Sequence, residues 1–154
     1  GPFSVFAGVN RSIMLLEGDG VWLHSEDNAI ERRLDVVHRP FAFSGDASIH
    51  CSLLGAVSSD FNVMTRRGAW RADVQVLENA ASVAAAPHGV LLALRGDWRS
   101  NRDEASLTEG DGLTWTNVPF AWQLSPSCAH ARLVVVHIVA ESVEATATLA
   151  EGMS

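Results

Sequence analysis

Three stretches bring together residue types able to hold a small anion. Arg11, in Gly8-Val9-Asn10-Arg11, is a fixed cation whose planar fork can grip a carboxylate bidentately. Asp60-Phe61-Asn62-Val63-Met64 has the pattern of a strand. Alternation then sends Asp60, Asn62 and Met64 to one face and Phe61 and Val63 to the other. Asp and Asn are depleted in strands. Two on one face suggest a polar pocket floor or a pair bridging to Arg11, and equally the wet face of an edge strand. His50 follows Gly45-Asp46 on another predicted strand, where a neutral imidazole would hydrogen-bond a ligand.

Other chemistry finds less support. A mononuclear metal site in a small barrel usually draws on a His-x-His pair, because alternate residues share a face. The chain has no such pair, so no cofactor is expected and a metal is not supported by that motif. His24, His38, His88 and His130 fall in loops or at strand ends and are expected at the surface. His137 lies in an apolar strand, opposite in phase to Val136 and Ile138, and is expected to pack there. Gly-x-Ser-x-Gly is missing, and neither cysteine has a histidine at informative spacing, so no nucleophile is evident. Gly18-x-Gly20 lacks the third glycine and the helix of a phosphate loop. Asp103-Glu104 reads as a solvated loop, and Glu17 and Asp19 as flanks of a glycine turn. Cys51 and Cys128 stand 77 positions apart. With no C-x-x-C pair, a zinc ribbon or thioredoxin motif is ruled out. Two thiols of a reducing cytoplasm are expected.

The elements that must position these residues read as β throughout. The 154 residues suit one compact domain. With 47% hydrophobic and 19% charged residues the composition is ordinarily globular. No apolar run approaches the ~18–20 residues of a membrane helix, and no secretory leader opens the sequence. A net charge of −7 argues against a nucleic-acid partner. All 11 basic residues are arginine, so Schiff-base lysine chemistry and a phosphate-loop lysine are absent from this stretch. Ser12–Glu17, a Gly18-Asp19-Gly20 turn and Val21–His24 predict a hairpin. Further strands are predicted over 33–38, 41–43, 48–54, 60–65, 71–77, 90–95, 112–115, 120–124 and 132–140. The stretch Val134–Val139 is β-branched apart from His137 and predicts a central strand. The Ala-rich segment 79–86 stops at Pro87 and predicts a loop or a single turn. After Glu141 a frayed tail or short helix is expected.

The two halves echo each other. Leu15-Leu16-Glu17-Gly18-Asp19 is matched by Leu92-Ala93-Leu94-Arg95-Gly96-Asp97, and Glu-Gly-Asp-Gly occurs at 17–20 and 109–112. Each half has a glycine turn, a Gly-Asp corner and two more strands. This predicts two small barrels or a double jelly roll, with one half over about 1–77 and the other over about 88–140 in a single unit of 1–154.

The same stretches resemble the HutD/Ves family. The family pattern Phe-x-Gly-x-x-Arg, Phe-x-Gly-Asp and Asp-x-Asn-x-Met falls on Phe6, Gly8 and Arg11; on Phe43, Gly45 and Asp46; and on Asp60, Asn62 and Met64. The likeness is most specific over residues 1–67 and generic beyond. It implies an all-β, double-stranded β-helix (cupin, RmlC-like jelly roll) in a bicupin arrangement. It also implies further strands preceding Gly1, including a Trp-x-Asn-Gly-Gly-Gly-x-Thr segment; a barrel without them would expose strand edges.

The resemblance implies a regulatory cupin that modulates histidine utilisation by binding a small carboxylate intermediate such as urocanate or formylglutamate. No enzymatic activity comes with it. Arg11, His50, Asp60, Asn62 and Met64 are the expected ligand-binding residues, with no catalytic residue and no metal ligand. A cytoplasmic protein with a small anionic partner is expected, with neither nucleic acid nor membrane, and a homodimer is left open. The alternatives are a metal-dependent cupin enzyme acting on a pathway metabolite, and a protein-interaction role.

Overall fold

A computed structural model describes residues 1–102 and 106–141. The predicted tail after Glu141 and the Asp103-Glu104 pair lie outside the described residues. The described chain is all β: β1 (Val9–Glu17), β2 (Val21–Ser25), β3 (Glu31–Leu34), β4 (Phe41–Ser44), β5 (Ile49–Leu53), β6 (Ser59–Arg66), β7 (Trp70–Leu77), β8 (Ala81–Ala86), β9 (His88–Arg95), β10 (Trp98–Ser100), β11 (Ser106–Leu107), β12 (Gly112–Trp115), β13 (Phe120–Pro126) and β14 (Arg132–Ala140). Among the described residues no helix is long and apolar enough to cross a membrane.

The chain divides into two compact units, Gly1–Arg67 and Gly68 onward. In the first, two antiparallel sheets run β4-β1-β6 and β3-β2-β5. Their inner faces share one core of Ile13, Val21, Leu23, Leu34, Phe43 and Ile49. In the second, the sheets run β12-β9-β14-β7 and β11-β10-β13-β8. Their core is richer in indoles, with Trp98, Trp115 and Trp122 beside Leu91, Leu124 and Leu133. β14 lies between β9 and β7, central as its β-branched run predicts.

The units repeat one topology. Counting β9 as the first strand of its unit, the orders 4-1-6 and 3-2-5 recur, with β7 added beside β14 and β8 beside β13. The register repeats too. Each ladder skips one residue, Leu16 in β1 and Leu94 in β9, 78 positions apart. At the matching corners His38 N–H donates to Leu15 O, and Gly110 N–H to Ala93 O. Both donors have positive φ, 64° and 89°.

Three local expectations change. The turn after β1 is not a hairpin. Gly18 and Gly20 do take positive φ, but β1 pairs with β4 and β6 while β2 pairs with β3 and β5. The turn is a corner between sheets, and at Gly20 a side chain would run into the Leu34 carbonyl. The strands around 55–59 likewise join different sheets. The Ala-rich stretch is strand β8, paired with β13; ladder hydrogen bonds outweigh the helix preference of alanine.

His88 is the third change. Expected at the surface, it is buried at the start of β9. Its Nδ1 accepts the Asn117 N–H at 3.0 Å and lies 2.9 Å from Thr116 Oγ1, which leaves Nδ1 no room for a proton. Burial holds its pKa below the ordinary histidine value. The unfolded chain therefore binds more protons than the folded one as pH drops through about 6.5, and stability falls with it. The urea midpoint of the native protein is expected to decline from pH 7.5 to pH 5. His88→Gln should flatten that part of the profile; an unchanged profile would remove His88 as its source.

Candidate functional site

β1 turns Arg11, Ile13 and Leu15 toward the core of the first unit, and Arg11 is only 8% exposed. Three phenyl rings surround its guanidinium. The Phe43, Phe3 and Phe6 centroids lie 5.0, 5.3 and 5.3 Å from Cζ. Phe43 is the cross-strand neighbour of Arg11. Phe3 is placed by a short pairing with β5, in which Phe3 N–H donates to Ile49 O and Cys51 N–H to Gly1 O. Rings around a guanidinium are favourable to it and exclude water.

The polar side of the site comes from β6. Register places Met64 opposite Arg11, Asn62 opposite Ile13 and Asp60 opposite Leu15, so all three share the face of Arg11. Arg11 Nη2 donates to Asn62 Oδ1 at 3.2 Å, and Asn62 Nδ2 donates to Asp60 Oδ1 at 2.9 Å. Burial lowers the Arg11 pKa and the Asp60 charge opposes that shift; an arginine so placed remains a cation. Its Nε is buried with no hydrogen-bond partner in the structure. A buried cation with an unused N–H, rimmed by the exposed Asn62, Asp60 and Met64, has the chemistry to pair with a carboxylate or similar small anion.

Of the residues singled out in the sequence, Arg11, Asp60 and Asn62 form one hydrogen-bonded group and Met64 faces the same side. His50 is not in it. On β5 it pairs with His24 and points to the face opposite Leu23 and Ile49. There it stacks on His24 at 5.5 Å, which stacks on Trp22 at 4.4 Å. Its Nε2 lies 3.7 Å from Glu26. Among the described residues no three His, Cys, Asp or Glu side chains gather as a metal site would need. His137 packs its ring edge-on against Trp115. Phe6 is marked in the sequence only by the Phe-x-Gly-x-x-Arg pattern and Phe3 by nothing, because no local signal says that a non-strand segment folds over Arg11.

The second unit is an internal control. By the shared register, Arg11 corresponds to Gly89, Phe43 to Trp115, Asn62 to Val135 and Asp60 to Leu133. At Gly89 a side chain would collide with the Trp115 ring and the Val136 carbonyl. Trp115 fills that space, tilts onto Trp122 at 5.3 Å and donates Nε1–H to Ala86 O at 2.8 Å. Where one unit holds a cation with polar neighbours, its twin holds packed core. The polar residues of the first unit are thus not demanded by the fold.

A family model described as HutD matches residues 1–146. Protein Ves from Citrobacter koseri is 37% identical over 116 residues, 75% of this chain and 59% of that protein. The chain thus spans less than two thirds of that relative. A conserved protein of unknown function from Pseudomonas aeruginosa PAO1 has a crystal structure similar at TM-score 0.79 and 30% identity, covering 91% of this chain and 77% of that one. HutD from Pseudomonas fluorescens SBW25, solved in a formate condition, matches at TM-score 0.79 and 21% identity over 92% of this chain and 74% of its own. A salicylate 1,2-dioxygenase from Pseudoaminobacter salicylatoxidans, at 10% identity and TM-score 0.53 over 95% and 67% of the two chains, shares the fold alone. The architecture is cupin-like.

Proposed function

The chain belongs to the HutD family, and from that premise we propose that its first unit binds the carboxylate of a small anionic metabolite, with Arg11 as the anchoring cation. The observation that carries this is the buried guanidinium, ringed by Phe3, Phe6 and Phe43, whose Nε has no partner. A buried charge is costly unless paired, and the twin unit dispenses with it. Asn62 orients the guanidinium, and Met64 offers an apolar wall beside it. The role is regulatory: occupancy by an intermediate of histidine utilisation, such as urocanate or formylglutamate, modulates the pathway in the cytoplasm.

The test is a thermal-shift and calorimetric screen against urocanate, formylglutamate, glutamate, histidine and formate. A ligand at 100 times its dissociation constant adds about 2.7 kcal/mol, a rise on the order of 5–10 °C for a protein of this size. One carboxylate raising the midpoint, with histidinol inert as a control lacking the carboxylate, is the expected result. No shift with any of them would overturn the proposal.

A further inference from the structure

The segment that carries Phe6 is held in a way its counterpart is not. In the second unit β8 stays paired with β13 from Ala81 to Ala86. In the first, the chain leaves β5 after Phe3, and residues 4–8 arch out as an exposed strap. The strap is docked on the Ser44–Asp46 turn. Phe6 N–H donates to Gly45 O at 2.8 Å and Gly45 N–H to Val9 O at 2.7 Å. Gly8 N–H donates to Asp46 Oδ1 at 2.7 Å. A side chain at Gly45 would meet the Phe6 and Val9 carbonyls at 2.6 and 2.8 Å, so the approach is as close as glycine permits.

Arg67 ties this assembly together. Its Nη1 donates to Asp46 Oδ2 at 2.7 Å, and Nη2 to Ser44 Oγ at 2.7 Å and Val9 O at 3.3 Å. Nε donates to Asn10 Oδ1 at 2.9 Å, and the Arg67 N–H to Gly8 O at 2.8 Å. One residue thus bonds both ends of the dock, beyond β6 and away from Arg11. An exposed ion pair alone contributes little, but a fork satisfied at several acceptors fixes geometry.

We propose that residues 4–8 are the cover of the Arg11 site, and that Arg67, through Asp46 and Ser44, is the positioning residue that holds the Phe6 ring over the guanidinium. This rests on the carboxylate reading of Arg11 and extends it. The ligand class is a small carboxylate whose head reaches the guanidinium beneath Phe6. The closed strap excludes water from that contact, and Arg67 touches no ligand.

A double-mutant cycle tests it. Kd for urocanate and for sodium formate is measured by calorimetry on the intact protein, Arg67→Ala, Phe6→Ala and the double variant. If Arg67 acts through Phe6, each single variant weakens binding about 10-fold and the double variant is no weaker than about 10-fold, where independent sites would multiply to about 100-fold. Arg67→Lys should recover part of the loss. Amide exchange supplies a readout without ligand: the Phe6 and Gly8 amides should exchange at least 10-fold faster in Arg67→Ala while the core strands keep their protection. Unchanged exchange at Phe6 and Gly8 would overturn the proposal, as would a multiplicative cycle. If the intact protein binds neither probe, the carboxylate reading fails and the cover over it fails too. Binding by the intact protein that is within twofold of Arg67→Ala sinks the positioning role alone.

Discussion

Replacing Trp115 by alanine is expected to cost the protein about 3–5 kcal/mol, the range for removing a buried tryptophan. The side chain is 7% exposed and plugs the space that Gly89 leaves open. It packs on Trp122 and His137, and its Nε1–H satisfies the carbonyl of Ala86, the last residue of β8. Alanine would open a cavity between β9, β12 and β13 and strand that carbonyl, which adds a desolvation term. The melting midpoint should fall by on the order of 10 °C, with a matching drop in the urea midpoint. Trp115→Phe separates the contributions: it refills much of the volume and forfeits only the indole hydrogen bond, so it should cost clearly less. A midpoint unmoved by Trp115→Ala would mean that the second unit does not depend on this plug.

Arg11→Ala should abolish carboxylate binding while sparing the fold. A charge-assisted pair contributes about 1.5–3 kcal/mol, so affinity should fall by roughly 10- to 150-fold, beyond detection for a weak metabolite ligand. Arg11→Lys keeps the charge but loses the planar fork and the Asn62 geometry, and should retain only a part of the affinity. Arg11→Met is the informative partner. It fills the space between Phe3, Phe6 and Phe43 without a buried charge whose Nε lacks a partner. Ligand-free, this variant should be as stable as the native protein or more so, and it should bind no carboxylate. Calorimetry with urocanate and a urea titration without ligand measure the two sides. A destabilised Arg11→Met that still binds would make Arg11 a structural residue.

Together these variants separate the two copies of one topology. In the second unit the space above Gly89, the counterpart of Arg11, is filled by the Trp115 ring, and the variant of that plug is read in stability. In the first the position holds a cation, and its variant is read in binding.

Much of this was legible in residue order. Alternation alone put Asp60, Asn62 and Met64 on one face of β6, because successive strand side chains point to opposite sides whatever the neighbours are. The β-branched run at Val134–Val139 announced a central strand. Of the glycine corners, Gly18-Asp19 and Gly96-Asp97, 78 positions apart, fall at matching places in the two units, whereas Gly110-Asp111 matches the corner at His38 and not Gly45-Asp46. Arg11 stood out by residue type. What tertiary structure decided was partnership. β1 and β2 are joined by a tight glycine turn, yet they belong to different sheets, since a turn sets direction and not which strand supplies the hydrogen bonds. Residues 81–86 became a strand because β13 offered a ladder. His50 has the right type, but its phase on β5 turns it to the outer face, beside His24 and Trp22. The bonds that dock residues 4–8, Gly8 to Asp46 and Arg67 to Val9, span 38 and 58 positions of chain, contacts that no local periodicity encodes. The sequence by itself determined which groups were available and which way each strand displayed them; the folded chain alone decided which of them met, because pairing is settled by long-range burial and not by neighbours in sequence.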